Sequence, residues 1–334
     1  DDPGDRMHRK VYELTELHDG TPLNVQARYV KLEFTIATFG WADEIEIIGQ
    51  PGIVNDAVFP ASQPDDYEYD QYADRGTAES ADITNQFLWY TGPMENDYFT
   101  DWTKDKVMAF LGYIGVDGSI EDWFFDDILA LPVAQMVTPS GIGVFQTKDD
   151  MNAFLDFIFQ EETQLGAIND AVRELNDMLG TDRQVRVNMA IPYITESSDF
   201  GDITGDGSQH SLLPADFADE VSDPTRMEDQ LEMHRLALEN KKRTVEWYID
   251  EVEKRFVEAG YDHIKLNSFY WYGERLFEEK GDVQLIQSTA EYLQKKSYYF
   301  TWVPYIGLNQ AYVWRDLGFT TAAIQPNFAF NNSK

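Results

Sequence analysis

The chain has 334 residues, 43% of them hydrophobic and 14% aromatic, which is enough to bury a core and excludes global disorder. Lysine and arginine number 26 against 60 aspartates and glutamates; the resulting formal charge of −34 argues against nucleic acid and anionic membranes as partners. The absence of cysteine removes disulfides, a thiol nucleophile and thiolate metal sites.

Taken in order, residues 10–50 read as β-structure. Arg28–Phe34 and Trp41–Gly49 alternate polar and apolar residues, and Asp19-Gly20 is a turn signal. The pair "ARYVKLEF…GWADEIEIIG" resembles the closing strands of discoidin-type (factor V/VIII C-type) carbohydrate-binding sandwiches. About three strands are present where a sandwich has about seven, so residues 1–50 are expected to be a partial β segment. Residues 51–83 form an acidic linker by composition.

Residues 84–334 alternate strands with helices. Val107–Ile114, Phe124–Leu131, Val185–Tyr193, Ile264–Tyr272, Tyr298–Tyr305 and Thr321–Phe328 are the six expected strands. Asp149–Leu179, Met227–Ala259 and Asp282–Lys295 are the expected long helices, with Gly180 and Gly260 as stop signals. A short helix is expected around Gln310–Leu317. Such alternation predicts an α/β domain whose parallel sheet is covered by helices. Aromatic and amide residues close several strands, as at Tyr113, Tyr193, Trp271-Tyr272, Tyr305 and Gln325-Pro326-Asn327. Strand ends gathered around one ligand are what a TIM-type (β/α) barrel provides. No Gly-rich phosphate fingerprint follows a strand, which argues against a nucleotide-binding open sheet.

The segments "RTVEWYIDEVEKRFVEAGYDHIKLNSFYWYGE", "YYFTWVPYIG" and "WRDLGFTTAAIQPNFAF", with "FFDDILAL" and "VRVNMAIPY", resemble the bacterial family called domain of unknown function 4855, from about Leu88 onward. The resemblance implies a glycoside-hydrolase-type barrel in an extracellular protein that often carries discoidin-type modules. It names no activity. The family pattern continues into a further strand bearing another glutamate. With six strands counted and eight needed for closure, the barrel is expected to be incomplete at its C-terminal end and the chain to be a segment of a larger protein.

Glycoside hydrolysis uses two carboxyls across the scissile bond. Glu274, just past the fourth strand, is the first candidate for the general acid/base; the competing reading has it paired with Arg275 or capping the next helix. Asp126 and Asp127 are the remaining candidate carboxylates, read alternatively as a structural hydrogen-bond hub. Tyr113, Tyr193, Tyr270, Trp271, Tyr272, Trp302 and Tyr305 are candidate sugar platforms, since aromatic rings join an apolar face to a polar edge. Side chains alternate along a strand, so about half of them are expected in the core or facing inward. Gln325 and Asn327 are candidate hydroxyl partners.

Asp202–Ser208 echoes the start of a calcium loop, but Leu213 stands where the bidentate acid belongs, so it is read as a polar loop. The five histidines show no zinc-ligand spacing. No cofactor or metal is implied. No apolar stretch reaches membrane-spanning length, so no membrane insertion is expected. The expectation is an extracellular glycoside-hydrolase-like barrel acting on a neutral or amino-sugar polysaccharide, or alternatively a non-catalytic glycan-binding or adhesion module.

Overall fold

The computed structural model describes residues 73–92, 102–132, 144–305 and 311–324, with the isolated positions 15–16, 47–49 and 52. Nearly all of the discoidin-like segment 1–50, most of the linker 51–83, and Gln325 and Asn327 lie outside the described residues. Contacts divide the chain into two units, Asp1–Tyr72 and Ala73–Lys334. All elements described below belong to the second.

In chain order the elements are β1 (Gln86–Thr91), α1 (Lys104–Leu111), β2 (Gly112–Ile114), β3 (Ile120–Trp123), β4 (Asp127–Pro132), β5 (Val144–Phe145), α2 (Lys148–Ile158) and α3 (Gln164–Leu179). They continue with β6 (Val185–Ile191), β7 (Tyr193–Ile194), α4 (Met227–Ala259), β8 (Ile264–Trp271), α5 (Asp282–Lys296), β9 (Tyr299–Trp302) and β10 (Thr321–Ala322). Six strands form one sheet in the order β1-β4-β6-β8-β9-β10, with every pairing parallel. Strand order therefore follows chain order. Among the described residues β1 and β10 each have one neighbour, so the described sheet is open.

Period-2 alternation sorts the strand residues between two faces. Phe87 and Trp89, Ile128 and Ala130, Val187 and Met189, Phe269 and Trp271, and Phe300 and Trp302 join helix residues in the main core. The opposite face carries Leu88 and Tyr90, Leu129 and Leu131, Asn188 and Ala190, and Ser268 and Tyr270. Leu129, Leu131, Ala190 and Tyr270 form a second cluster there, with Tyr272 and Val303 packed on it. Leu88 and Tyr90 on the edge strand remain about half exposed.

The six-strand count holds, but one member differs. Val107–Ile114 is not a buried strand: Lys104–Leu111 is helix α1, and Gly112–Ile114 is one arm of an antiparallel hairpin with β3. A short apolar run satisfies either period, and here Val107 and Leu111, four apart, supply one buried helix face. The first sheet strand is instead Gln86–Thr91. Likewise 149–179 is two helices. α2 opens with a capping box in which Thr147 Oγ1 accepts from Asp150 N at 3.1 Å and Asp150 Oδ2 accepts from Thr147 N at 2.8 Å. The chain breaks after Ile158, and Gln164, in the left-handed region at φ 55°, donates its N–H to the Trp102 carbonyl. Gly166 sits so close to the break that a Cβ there would lie 1.9 Å from the Glu161 carbonyl oxygen.

The helix α4 has the expected bounds, and Gly180 and Gly260 end α3 and α4 in the left-handed conformation. Val245, Tyr248, Ile249 and Val252 are its buried stripe, and the Tyr248 hydroxyl donates to the Ala190 carbonyl at 3.0 Å.

Candidate functional site

The two ends of the sheet differ in chemistry. At the N-terminal end, Asp127 opens β4 fully buried and is gripped by Arg186 of β6, Nε to Oδ1 at 2.7 Å and Nη2 to Oδ2 at 2.8 Å. The Thr84 amide adds a bond to Oδ2 at 3.0 Å, while Asp126 accepts from the Thr84 hydroxyl and from the Asn85 amide. Burial, the largest influence, pushes the Asp127 carboxyl up, and Arg186 and the Thr84 amide oppose it. Beside this network the segment before β1 crosses the second face. Buried Ala81 accepts from the Asn267 amide at 2.9 Å, and Asp82 accepts from the Tyr299 hydroxyl at 3.0 Å. Asn188 of β6 links its two neighbouring strands, donating to the Ile128 carbonyl of β4 and accepting from Ser268 and Asn267 of β8. This end is closed by hydrogen bonds.

Asp126 and Asp127 therefore serve as the structural hub. In register, Asp127 is level with Arg186 and Lys265, six residues before Trp271 in β8. At about 3.3 Å per residue that places them roughly 20 Å along the sheet from the strand end that carries Glu274. Tyr113 is also at the N-terminal side: it lies on the β2–β3 hairpin that follows α1, is 45% exposed, and has its ring tilted at 45° toward that of Phe124. These three positions do not join Glu274.

At the C-terminal end the chain turns out of β8 through Tyr272-Gly273-Glu274. Tyr272 N donates to the Ile191 carbonyl at 3.3 Å, Trp302 Nε1 to the Gly273 carbonyl at 2.7 Å, and Tyr305 N to the Glu274 carbonyl at 3.1 Å. The backbone of Glu274 is thus pinned between the third and fifth sheet strands while its side chain is exposed. The next helix, α5, begins at Asp282 behind Gly281, so Glu274 does not cap it. The Arg275 guanidinium lies over the Tyr305 ring, 5.0 Å from its centre.

Tyr270 and Tyr272 stand on the second face beside this turn, with rings edge to face at 6.5 Å. Burial first, and then the negative charge of Glu274, push the Tyr270 phenol well above its ordinary range. Tyr272 is raised the same way, by burial, then by Tyr90 and Glu274. Three phenols and one carboxylate therefore share an electrostatic neighbourhood at the C-terminal end of the sheet. Tyr90 escaped the sequence reading; its signal was the alternation Phe87-Leu88-Trp89-Tyr90.

Three of the expected platforms are buried: Tyr270, 5% exposed, in the cluster on the second face, and Trp271 and Trp302 in the main core. Trp271 and Trp302 are each 1% exposed and face the helices. Trp302 stacks on Phe319 at 5.0 Å and 13°. Among the described residues Trp271 Nε1 has no hydrogen-bond partner. In a strand buried on both faces, residue type does not reveal which parity faces the helices. Tyr193 lies past β6, its ring edge-on to Phe277 at 6.2 Å, and walls a separate cavity.

In the loop Asp202–Ser208 the Asp202 carboxylate accepts from the amides of Thr204, Gly205 and Gly207, so the loop satisfies its own acid. No group of three or more His, Asp or Glu placed to hold a metal occurs among the described residues, and among them no helix is long and apolar enough to cross a membrane.

Residues 85–334 match the family described as Domain of unknown function (DUF4855). No curated protein and no solved structure matches the chain.

Proposed function

The chain belongs to the DUF4855 family, whose description names no reaction, and from the site itself we propose an extracellular glycan-acting (β/α) barrel with Glu274 as general acid/base. Parallel strands running in chain order support the barrel reading, because that is the order in which a barrel is laid down. The observation that carries the function is the position of Glu274 at the end of the fourth sheet strand, within electrostatic reach of Tyr270 and Tyr272. A carboxyl there protonates the glycosidic oxygen as the C–O bond breaks, the electron pair leaving with that oxygen; water then bonds to the anomeric carbon and gives its proton back to the carboxylate. The phenols of Tyr90 and Tyr272, and the Tyr305 ring under Arg275, supply the hydroxyl partners and flat apolar surface that a sugar needs, with buried Tyr270 packed beneath. The charge of −34 favours a neutral or amino-sugar polysaccharide over a polyanion.

A second reading, a non-catalytic glycan-binding module, is favoured by one observation. The other two candidate carboxylates, Asp126 and Asp127, lie roughly 20 Å along the sheet from the strand end that carries Glu274, where hydrolysis uses two carboxyls flanking one bond.

The test compares the full-length protein with its Glu274→Gln variant on a glycan panel, reading released reducing ends and retained glycan separately. Hydrolysis predicts release by the wild type, about 10²–10⁴-fold slower in the variant, with retention unchanged. Equal turnover removes Glu274 from the mechanism. Retention without release by the wild type selects the binding module.

A further inference from the structure

Lys241 occupies a place built for an apolar side chain. It shares the buried stripe of α4 with Val245, Tyr248, Ile249 and Val252, and is 4% exposed. A lysine is buried this far only when something compensates it. Its ammonium has three protons to donate, yet among the described residues its acceptors are distant: the Lys280 carbonyl at 3.5 Å and Glu196 Oε1 at 3.6 Å. Both lie outside the 2.7–3.2 Å of well-formed bonds.

Lys241 also lines a cavity of about 240 Å³, whose wall holds Glu196, Thr195, Tyr193, Gln146 and Lys280. Its size is just under the roughly 300–1,000 Å³ of sites for drug-sized ligands, so it suits one small ring rather than a chain. Tyr193 connects it to the catalytic candidate. A Cβ on Gly273, the residue before Glu274, would lie 3.4 Å from the Tyr193 ring. The Tyr193 ring thus stands between the cavity and the turn that carries Glu274.

The charges around it select the ligand. The wall holds Glu196 beside Lys241 and Lys280, so a carboxylate ligand would meet Glu196 and a cation would meet the two lysines. A donor and an acceptor side by side suit a group that both accepts and donates. We propose that this cavity is a subsite for one neutral sugar unit, held by adjacent hydroxyls that accept from Lys241 and donate to Glu196. Burial, against the pull of Glu196, also holds the Lys241 ammonium below the ordinary lysine range.

The choice of a sugar rests on the glycan reading; the site itself does not require Glu274 to be catalytic. Competitive acetylation of the full-length protein, read by peptide mass spectrometry, reports on Lys241 with exposed Lys254 as internal reference. Glucose, galactose, mannose and N-acetylglucosamine are the probes, with glucuronate and acetate as charged comparisons. A neutral sugar should slow acetylation of Lys241 about tenfold at ten times its dissociation constant, by occupancy alone, and leave Lys254 unchanged. Glu196→Gln should weaken that protection and Glu274→Gln should leave it intact. Protection by glucuronate or acetate alone overturns the neutral class, and protection by none of the probes overturns the subsite. Glycan turnover without protection counts against the subsite only, whereas protection without turnover counts against hydrolysis only.

Discussion

Arg186 holds Asp127 through two parallel bonds of 2.7 and 2.8 Å, and the carboxylate so held is wholly buried at the start of β4. The pair ties β4 to β6 and, through Thr84, to the segment that enters β1. Arg186→Met removes the compensating charge and leaves a buried acid. Equilibrium urea denaturation should show a loss of about 3–5 kcal/mol. A loss below about 1 kcal/mol, the range of exposed pairs, would mean that the clamp is not structural.

Gly166→Ala offers a test in which two effects oppose. Alanine gains about 1 kcal/mol of helix propensity over glycine. The new Cβ, however, would meet the Glu161 carbonyl oxygen at 1.9 Å, and neither backbone can yield without reopening the α2–α3 break. The clash should win, for a net loss of about 1–3 kcal/mol by thermal or urea unfolding. A stabilised variant would show that α2 and α3 can rearrange freely.

The two buried tryptophans differ in one bond. Trp302 donates from Nε1 to the Gly273 carbonyl at 2.7 Å, whereas Trp271 Nε1 has no partner among the described residues. Replacing each by phenylalanine removes similar volume. Trp302→Phe should therefore cost about 1 kcal/mol more than Trp271→Phe. It should also loosen the turn beside Glu274, visible as faster amide exchange at Tyr305, whose N–H is bonded to that turn.

Lys241 makes stability depend on pH in a defined direction. Its folded-state pKa lies below the unfolded value, so between the two the unfolded chain binds more protons and stability rises with pH. The rise should end near the ordinary lysine value of about 10.4. Subtracting the Lys241→Met profile removes the contribution of buried tyrosines, which acts in the opposite sense: Tyr261 and Tyr298, pushed up to about 12 chiefly by burial, lose stability above their unfolded pKa. A difference profile that is flat, or falls with pH, would show that the folded state does not disfavour the Lys241 charge.

Much of the architecture was legible because it is local. Helix α4 announces itself by Val245, Ile249, Val252 and Phe256 at helical spacing and by Gly260 just beyond, and the structure ends it there. Ile264–Tyr272 reads as a buried strand from its run of apolar and aromatic residues, and the structure forms Ile264–Trp271. Val107–Ile114 misled because eight residues of that kind fit a helix turn or a strand equally well, and only contact with the main core through Val107 and Leu111 separates them. The break before α3 was hidden because the apolar period runs almost unbroken across it.

The site divides in the same way. The order of elements along the chain places Glu274 after the fourth sheet strand, and no fold with these strands could put it elsewhere in the sequence of elements. Which aromatics accompany it depended on strand parity, and parity in a doubly buried strand is set by what packs on each face. Tertiary structure sent Trp271 and Trp302 to the helices and Tyr270 to the face of Tyr90. It also put Asp126 and Asp127 at the closed end with Arg186, and brought Lys241 to Glu196, 45 residues earlier in the chain. Composition, helix periods and stop signals act between near neighbours and so belong to the sequence. Pairing of a buried charge with a distant partner is decided only when folding removes water from both.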